Sequence, residues 1–123
     1  MMYRKGKMIV TKTKEEALQT LEEIKKEIKT SSIKINNPKD CEYIGIKIKG
    51  TTIQGETLDI IICDIFFIKM SDIRSNRFKS TFLVGDLDNE DINIINKYYP
   101  EKITKYTNEK EFINQVRREM NEP

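Results

Sequence analysis

Leu58-Asp59-Ile60-Ile61-Ile62-Cys63-Asp64-Ile65-Phe66-Phe67-Ile68 is the stretch whose reading decides the fold. It is apolar at odd and even positions alike, as a central strand covered on both faces would be. A buried helix is the rival reading, and the β-branched and aromatic content weighs for the strand. Extended to Met70 the run is 13 residues long, with Asp59, Asp64 and Lys69 inside it. A helix needs about 20 apolar residues to cross a bilayer, so the run belongs to a core and no membrane role is expected. The strand reading predicts that Ile60, Ile62 and Phe66 are buried. It leaves Ile61, Ile65 and Phe67 to be partly covered by helices or by a second copy of the chain, a route to a homo-oligomer through residues 58–70.

Upstream, Ile44, Ile46 and Ile48 alternate with Tyr43, Gly45, Lys47 and Lys49, a half-buried strand at period two. Ile33 and Ile35 alternate in the same way. Asn37-Pro38-Lys39-Asp40 between them reads as a type I turn. Further back, Thr13-Lys14-Glu15-Glu16 places a hydroxyl three residues before a carboxylate, the capping box. Ala17, Leu18, Leu21, Ile24 and Ile28 follow at helical spacing, predicting an amphipathic helix over about 14–29. Met8-Ile9-Val10-Thr11 is a short strand ahead of it.

Downstream, Ser80 to Val84 reads as a strand, and Asp88 is placed to cap a helix through Asp91 that Pro100 ends. Ile103 to Tyr106 reads as a short edge strand or a loop. Asn108 then caps a last helix whose stripe is Phe112, Ile113, Val116 and Met120. The expected fold is α+β, with mixed α/β as its alternative: a mostly antiparallel sheet of four to five strands packed on about three helices. All 123 residues fit one domain, with free ends at about 1–6 and 121–123. The basic start, Arg4-Lys5-Gly6-Lys7, is followed by only three apolar residues, so no signal-peptide core is expected.

Composition narrows the chemistry. The chain has no histidine, which removes imidazole-based triads and most zinc sites. Two cysteines are too few for an all-thiolate zinc site or a disulfide scaffold. Cys63 reads as a small buried hydrophobe, and a reducing, cytoplasmic setting is expected. No cofactor is implied. Isoleucine, lysine and asparagine make 46 of the 123 residues, a usage that fits AT-rich coding as in some bacteria, their phages or plasmids, and some archaea; a phage or mobile-element protein fits the size and composition.

Asp59 and Asp64, five apart on one strand, face opposite ways and cannot share a metal. A metal-dependent nuclease or phosphotransfer enzyme built from dispersed acids is therefore only the third reading. Asp64 among apolar neighbours is expected to be ion-paired or at a sheet rim. The acidic stretch Asp86–Asp91 lacks a calcium loop's glycine and its twelfth-position glutamate; its acids suit a helix N-terminus better.

Two basic surfaces remain. Lys69, Arg74, Arg77 and Lys79 lie within eleven residues, a loop suited to gripping a carboxylate or phosphate of a partner. Lys34, Tyr43, Lys47 and Lys49 interleave cations with one ring on a sheet face, as single-strand nucleic-acid binders do. Residues 1–50 carry a net charge of +5 and residues 86–123 a net −3, although the whole chain is only +2. The leading expectation is a small non-enzymatic regulator or inhibitor that binds a macromolecule, a protein first. Nucleic-acid binding through the lysine face is the alternative.

Overall fold

The computed structural model describes residues 4–36, 43–70, 78–85, 87–98, 103–106 and 108–120. Strand β1 (Arg4–Thr11) leads into helix α1 (Lys14–Glu27), and strands β2 (Thr30–Asn36), β3 (Tyr43–Ile48) and β4 (Thr57–Asp64) follow. Helix α2 (Ile65–Met70), strand β5 (Phe78–Leu83), helix α3 (Asn89–Tyr98), strand β6 (Ile103–Tyr106) and helix α4 (Glu109–Glu119) complete the order. The six strands form one sheet in the order β2-β3-β4-β1-β5-β6.

The mixed α/β arrangement is the one that forms. Antiparallel pairing is confined to β2–β3 and β3–β4, while β4–β1, β1–β5 and β5–β6 are parallel. Helices intervene between most sequential strands, and a crossover through a helix returns the chain in the same direction. Among the described residues four helices and six strands form where about three and four to five were expected: Ile103–Tyr106 is a strand, and the long apolar run ends in a helix.

That division is the main correction. The run is a strand only as far as Asp64 and a helix from Ile65. Asp64 makes the switch: its Oδ1 accepts the Phe67 backbone N–H at 2.9 Å, an N-cap on the first turn of α2. Asp64 therefore sits at the sheet rim, the second of the two placements expected for it, and serves there as a cap. Side-chain direction changes period at that point. Ile60 and Ile62 are buried as predicted, and Ile65 and Phe67 are also buried, but Phe66 is 52% exposed.

Each face of the sheet has its own core. On one face Ile44, Ile46 and Ile48, Leu58, Ile60 and Ile62, and Ile9 meet Ala17, Leu21, Ile24 and Ile28 of α1 and Phe112, Ile113 and Val116 of α4. On the other, Met8, Val10 and Cys63 meet Ile65, Phe67 and Ile68 of α2 and Leu87 and Ile95 around α3. The caps read from sequence hold α1 and α4 in place. The Glu16 N–H donates to Thr13 Oγ1 at 3.1 Å, and the Glu111 N–H donates to Asn108 Oδ1 at 2.9 Å. Lys7, only 2% exposed, reaches from β1 to Glu119 of α4 with Nζ–Oε1 at 3.1 Å.

Candidate partner-binding surfaces

Among the described residues strand β2 is an outer strand of the sheet, paired with β3 alone. Register sets which way its side chains project. Ile33 stands opposite Ile46 and Ile35 opposite Ile44, so both isoleucines lie on the face that α1 and α4 cover farther in. Their partners Ile44 and Ile46 are buried, yet Ile33 is 37% and Ile35 55% exposed. Helix α1 does not reach the edge. Its Thr20 and Glu27 turn toward α4, to Glu109 and Arg117. Leu18 projects from the opposite flank of the helix, toward the β2 side, and is also exposed. An apolar margin is left along an open strand edge.

The other face of the same edge is basic. Lys34 stands opposite Gly45, and Lys47 opposite Ser32, so Lys34, Lys47 and Tyr43 share one face as their alternation implied. Lys34, Lys47 and Lys49 are exposed. Tyr43 is less available than expected. It is half-buried against Phe67, with ring centroids 5.2 Å apart and planes at 57°. Lys47 is also opposite Asp59 of β4, and the two line a shallow cleft of about 410 Å³ with Ser31, Gly50 and Thr57. Lys49 lies beyond β3, its backbone N–H donating to the Lys29 carbonyl at 3.0 Å.

Of the second basic group, Arg74 and Arg77 lie outside the described residues, and Lys79 is described only through its backbone in β5. Lys69 is exposed in the last turn of α2, 3.7 Å from Asp91 of α3. That contact joins it to a polar network at the carboxyl ends of the parallel strands. There β1 feeds α1 on one face while β5 feeds α3 on the other, the switch point at which open α/β sheets form a crevice.

In this network Asp88 and Asp91 cap α3 reciprocally: the Asp91 N–H donates to Asp88 Oδ1 at 2.8 Å, and the Asp88 N–H to Asp91 Oδ2 at 3.4 Å. Lys12 spans from the end of β1 to Asp91 at 2.5 Å and Asp88 at 3.6 Å. The hydrogen bond to Asp91 holds the Lys12 ammonium above its ordinary pKa, with the charge of Asp88 adding to it. The Asp91 backbone N–H holds the Asp88 carboxyl below its ordinary pKa, with Lys12 adding to it. Gly85 lies beside it at φ +93°, and a Cβ there would run into the Glu16 carboxylate. The polar groups at this point satisfy one another and fasten α3 to β1.

Among the described residues no three acids or thiols cluster closely enough to hold a metal. Asp59 and Asp64 remain on separate faces. Cys63 is buried, and burial, with Asp64 beside it, pushes its thiol far above the ordinary range, so it packs as a small apolar side chain. No described helix is long and apolar enough to cross a membrane. Strand β4 lies between β3 and β1, and among the described apolar side chains of residues 58–70 Phe66 is the exposed one.

The exposed isoleucines of β2 were not among the residues singled out from sequence. Their signal was present in Ile33-Lys34-Ile35, whose alternation looks the same for an outer strand as for an inner one. The chain matches no known protein family, and no curated protein sequence matches it.

Proposed function

We propose that the protein is a small non-enzymatic regulator or inhibitor that acts by binding another protein, and that the open edge of β2 is its contact surface. One observation carries the reading: a seven-residue outer strand exposes Ile33 and Ile35 while Ile44, Ile46 and Ile48 of β3 and Ile60 and Ile62 of β4 beside it are buried. Edge strands offer unpaired N–H and C=O groups to any extended chain, and soluble proteins usually blunt them with charge, proline or a covering loop. Here a single lysine is the only charge in the strand. Position-specific photo-crosslinking in the native cells tests the reading. A photoreactive residue at position 35 should trap one discrete protein, and the same residue at Glu22, on the exposed flank of α1, should not. Equal trapping at both positions, or none at position 35, rejects it.

A second reading rests on the shared face of Lys34 and Lys47, which supports contact with the phosphates of a nucleic acid. Binding would then fall steeply with salt. Replacing Lys34, Lys47 and Lys49 together by glutamine would weaken it without unfolding the chain. Failure of the parent protein to retain single- or double-stranded nucleic acid at low salt removes this reading.

A further inference from the structure

We infer that Lys29 and Lys49 form an anion site, suited to a phosphate dianion, on the face of the sheet away from α1. The inference goes beyond both readings above and depends on neither.

Strand pairing brings the two lysines together. The Lys49 N–H donates to the Lys29 carbonyl at 3.0 Å, and the next residues inward, Thr30 and Ile48, are register partners. Lys29 and Lys49 therefore stand directly across from each other. Ile28 and Ile48 are buried in the core under α1, so alternation projects the two lysines from the opposite face. Residues opposed in this way have Cβ atoms about 4.5–5.5 Å apart, close enough for two ammonium groups to converge on one ligand.

Like charges directly opposite each other destabilise a sheet unless an opposite charge lies between them. Among the described residues nothing fills that role. Both lysines are exposed, and neither ammonium has an ion pair or a hydrogen bond there. In the adjoining row Lys47 stands opposite Asp59, so that row carries no net charge and contributes none to the site. Thr57 shares the face of Asp59 on β4, which puts the preceding acid, Glu56, on the other face.

The turn after β3 adds backbone donors. Gly50 leaves the strand at φ +95°. Among the described residues the N–H groups of Gly50 and Thr51 donate to no protein group, whereas those of Thr52 and Ile53 donate to the Glu56 and Glu119 carbonyls. Successive N–H groups of this kind favour anions. Gly50 also lines the cleft of about 410 Å³ that opens at this corner, so a ligand has room. Charge then sets the class. Two ammonium groups neutralise a dianion, while a single carboxylate leaves the lysines repelling each other, and phosphate has oxygens enough for both cations and the backbone donors.

The probe is inorganic phosphate, with acetate as the singly charged comparison. Each is titrated into the full chain at about pH 8 and constant ionic strength and followed through the amide NMR spectrum. Phosphate should move the amides of Lys29, Lys49, Gly50 and Thr51, bind about tenfold more tightly than acetate, and raise the melting midpoint. Lys29→Gln and Lys49→Gln should each weaken phosphate binding about tenfold. Each should leave the ligand-free midpoint unchanged or higher, because each removes a repulsion. Lys110→Gln, at an exposed lysine of α4, should bind phosphate as the parent does.

Equal affinity for acetate overturns the dianion assignment, and amide changes spread over all exposed lysines overturn the site. Unweakened binding in both glutamine variants overturns it as well. So does a lower ligand-free midpoint in both, which would mean that the lysines already hold a structural partner. If phosphate leaves these amides unmoved while a single-stranded oligonucleotide moves them, the lysines belong to the nucleic-acid reading and the small-anion site falls.

Discussion

Two aspartates carry much of the local decision-making, and each makes a prediction that separates a cap from an ion pair. Asp64 caps α2 through the Phe67 N–H, so Asp64→Ala should cost about 1 kcal/mol in chemical denaturation while Asp64→Asn, an equally good cap, should cost little. An ion-paired carboxylate would show the reverse pattern, with asparagine failing to rescue. Asp88 is different because its charge also faces Lys12. Its folded pKa lies below the ordinary value, so its contribution to stability is fully present above about pH 4. It is lost as the pH falls from there through the lower folded value. Unfolding followed from pH 6 to pH 2 should therefore be less acid-sensitive in Asp88→Asn than in the parent. Equal slopes would remove Asp88 from the acid response. Lys12 acts in the opposite direction: raised above its ordinary value, it stabilises below about pH 10 and loses that effect only as the pH climbs past it.

At the scale of elements, the division of the long apolar run shows both what the sequence discloses and what it conceals. Helix starts announced by Thr13, Asp88 and Asn108 formed where their hydroxyl, carboxylate or amide stood ahead of an acid, since a cap is a local contact between residues three apart. Alternation placed Ile44, Ile46, Ile48, Ile60 and Ile62 correctly for the same reason. Asp64 was harder to read, because a carboxylate inside an apolar run suits a buried pair and a cap equally until the next turn is seen. Phe66 and Phe67 exchange roles as a consequence. Phe67→Ala should cost about 3–5 kcal/mol, because the ring is 4% exposed and packs on Tyr43. Phe66→Ala should change stability by under about 0.5 kcal/mol, as exposed substitutions do. Comparable losses in the two variants would return the segment to a continuous strand. The β2 edge escaped the sequence for a different reason: edge or interior is a property of strand order, which no local pattern encodes. Lys7 is similar, since nothing near it in sequence foretells Glu119, more than a hundred residues away.

Across the whole molecule, strand order and layering imply a gradient of stability that runs from the middle of the sheet to its edges. Strands β4 and β1 are paired on both sides and covered on both faces, whereas β2 and β6 are each paired on one side. The helix layers are tied unevenly as well. Helix α4 is held to β1 by Lys7–Glu119, to α1 by Glu27–Arg117 and Thr20–Glu109, and to the β3–β4 connection by the Ile53 N–H on the Glu119 carbonyl. Native-state hydrogen exchange should therefore find the amides of β1 and β4 opening only with global unfolding, and those of β2 opening at much lower free energy. Lys7→Met tests how far the clasp on α4 extends this protection. Removing one member of a largely buried pair costs about 3–5 kcal/mol, and the loss should lower the protection of β1 and β4 together. It should leave the already low protection of β2 nearly unchanged, because that edge opens without the rest. A uniform fall across all six strands would mean that β2 belongs to the same cooperative unit as the core. The proposed surface would then be a rigid edge presented ready-made to its partner. Local opening of β2 ahead of the core would instead make binding and the ordering of that strand one event.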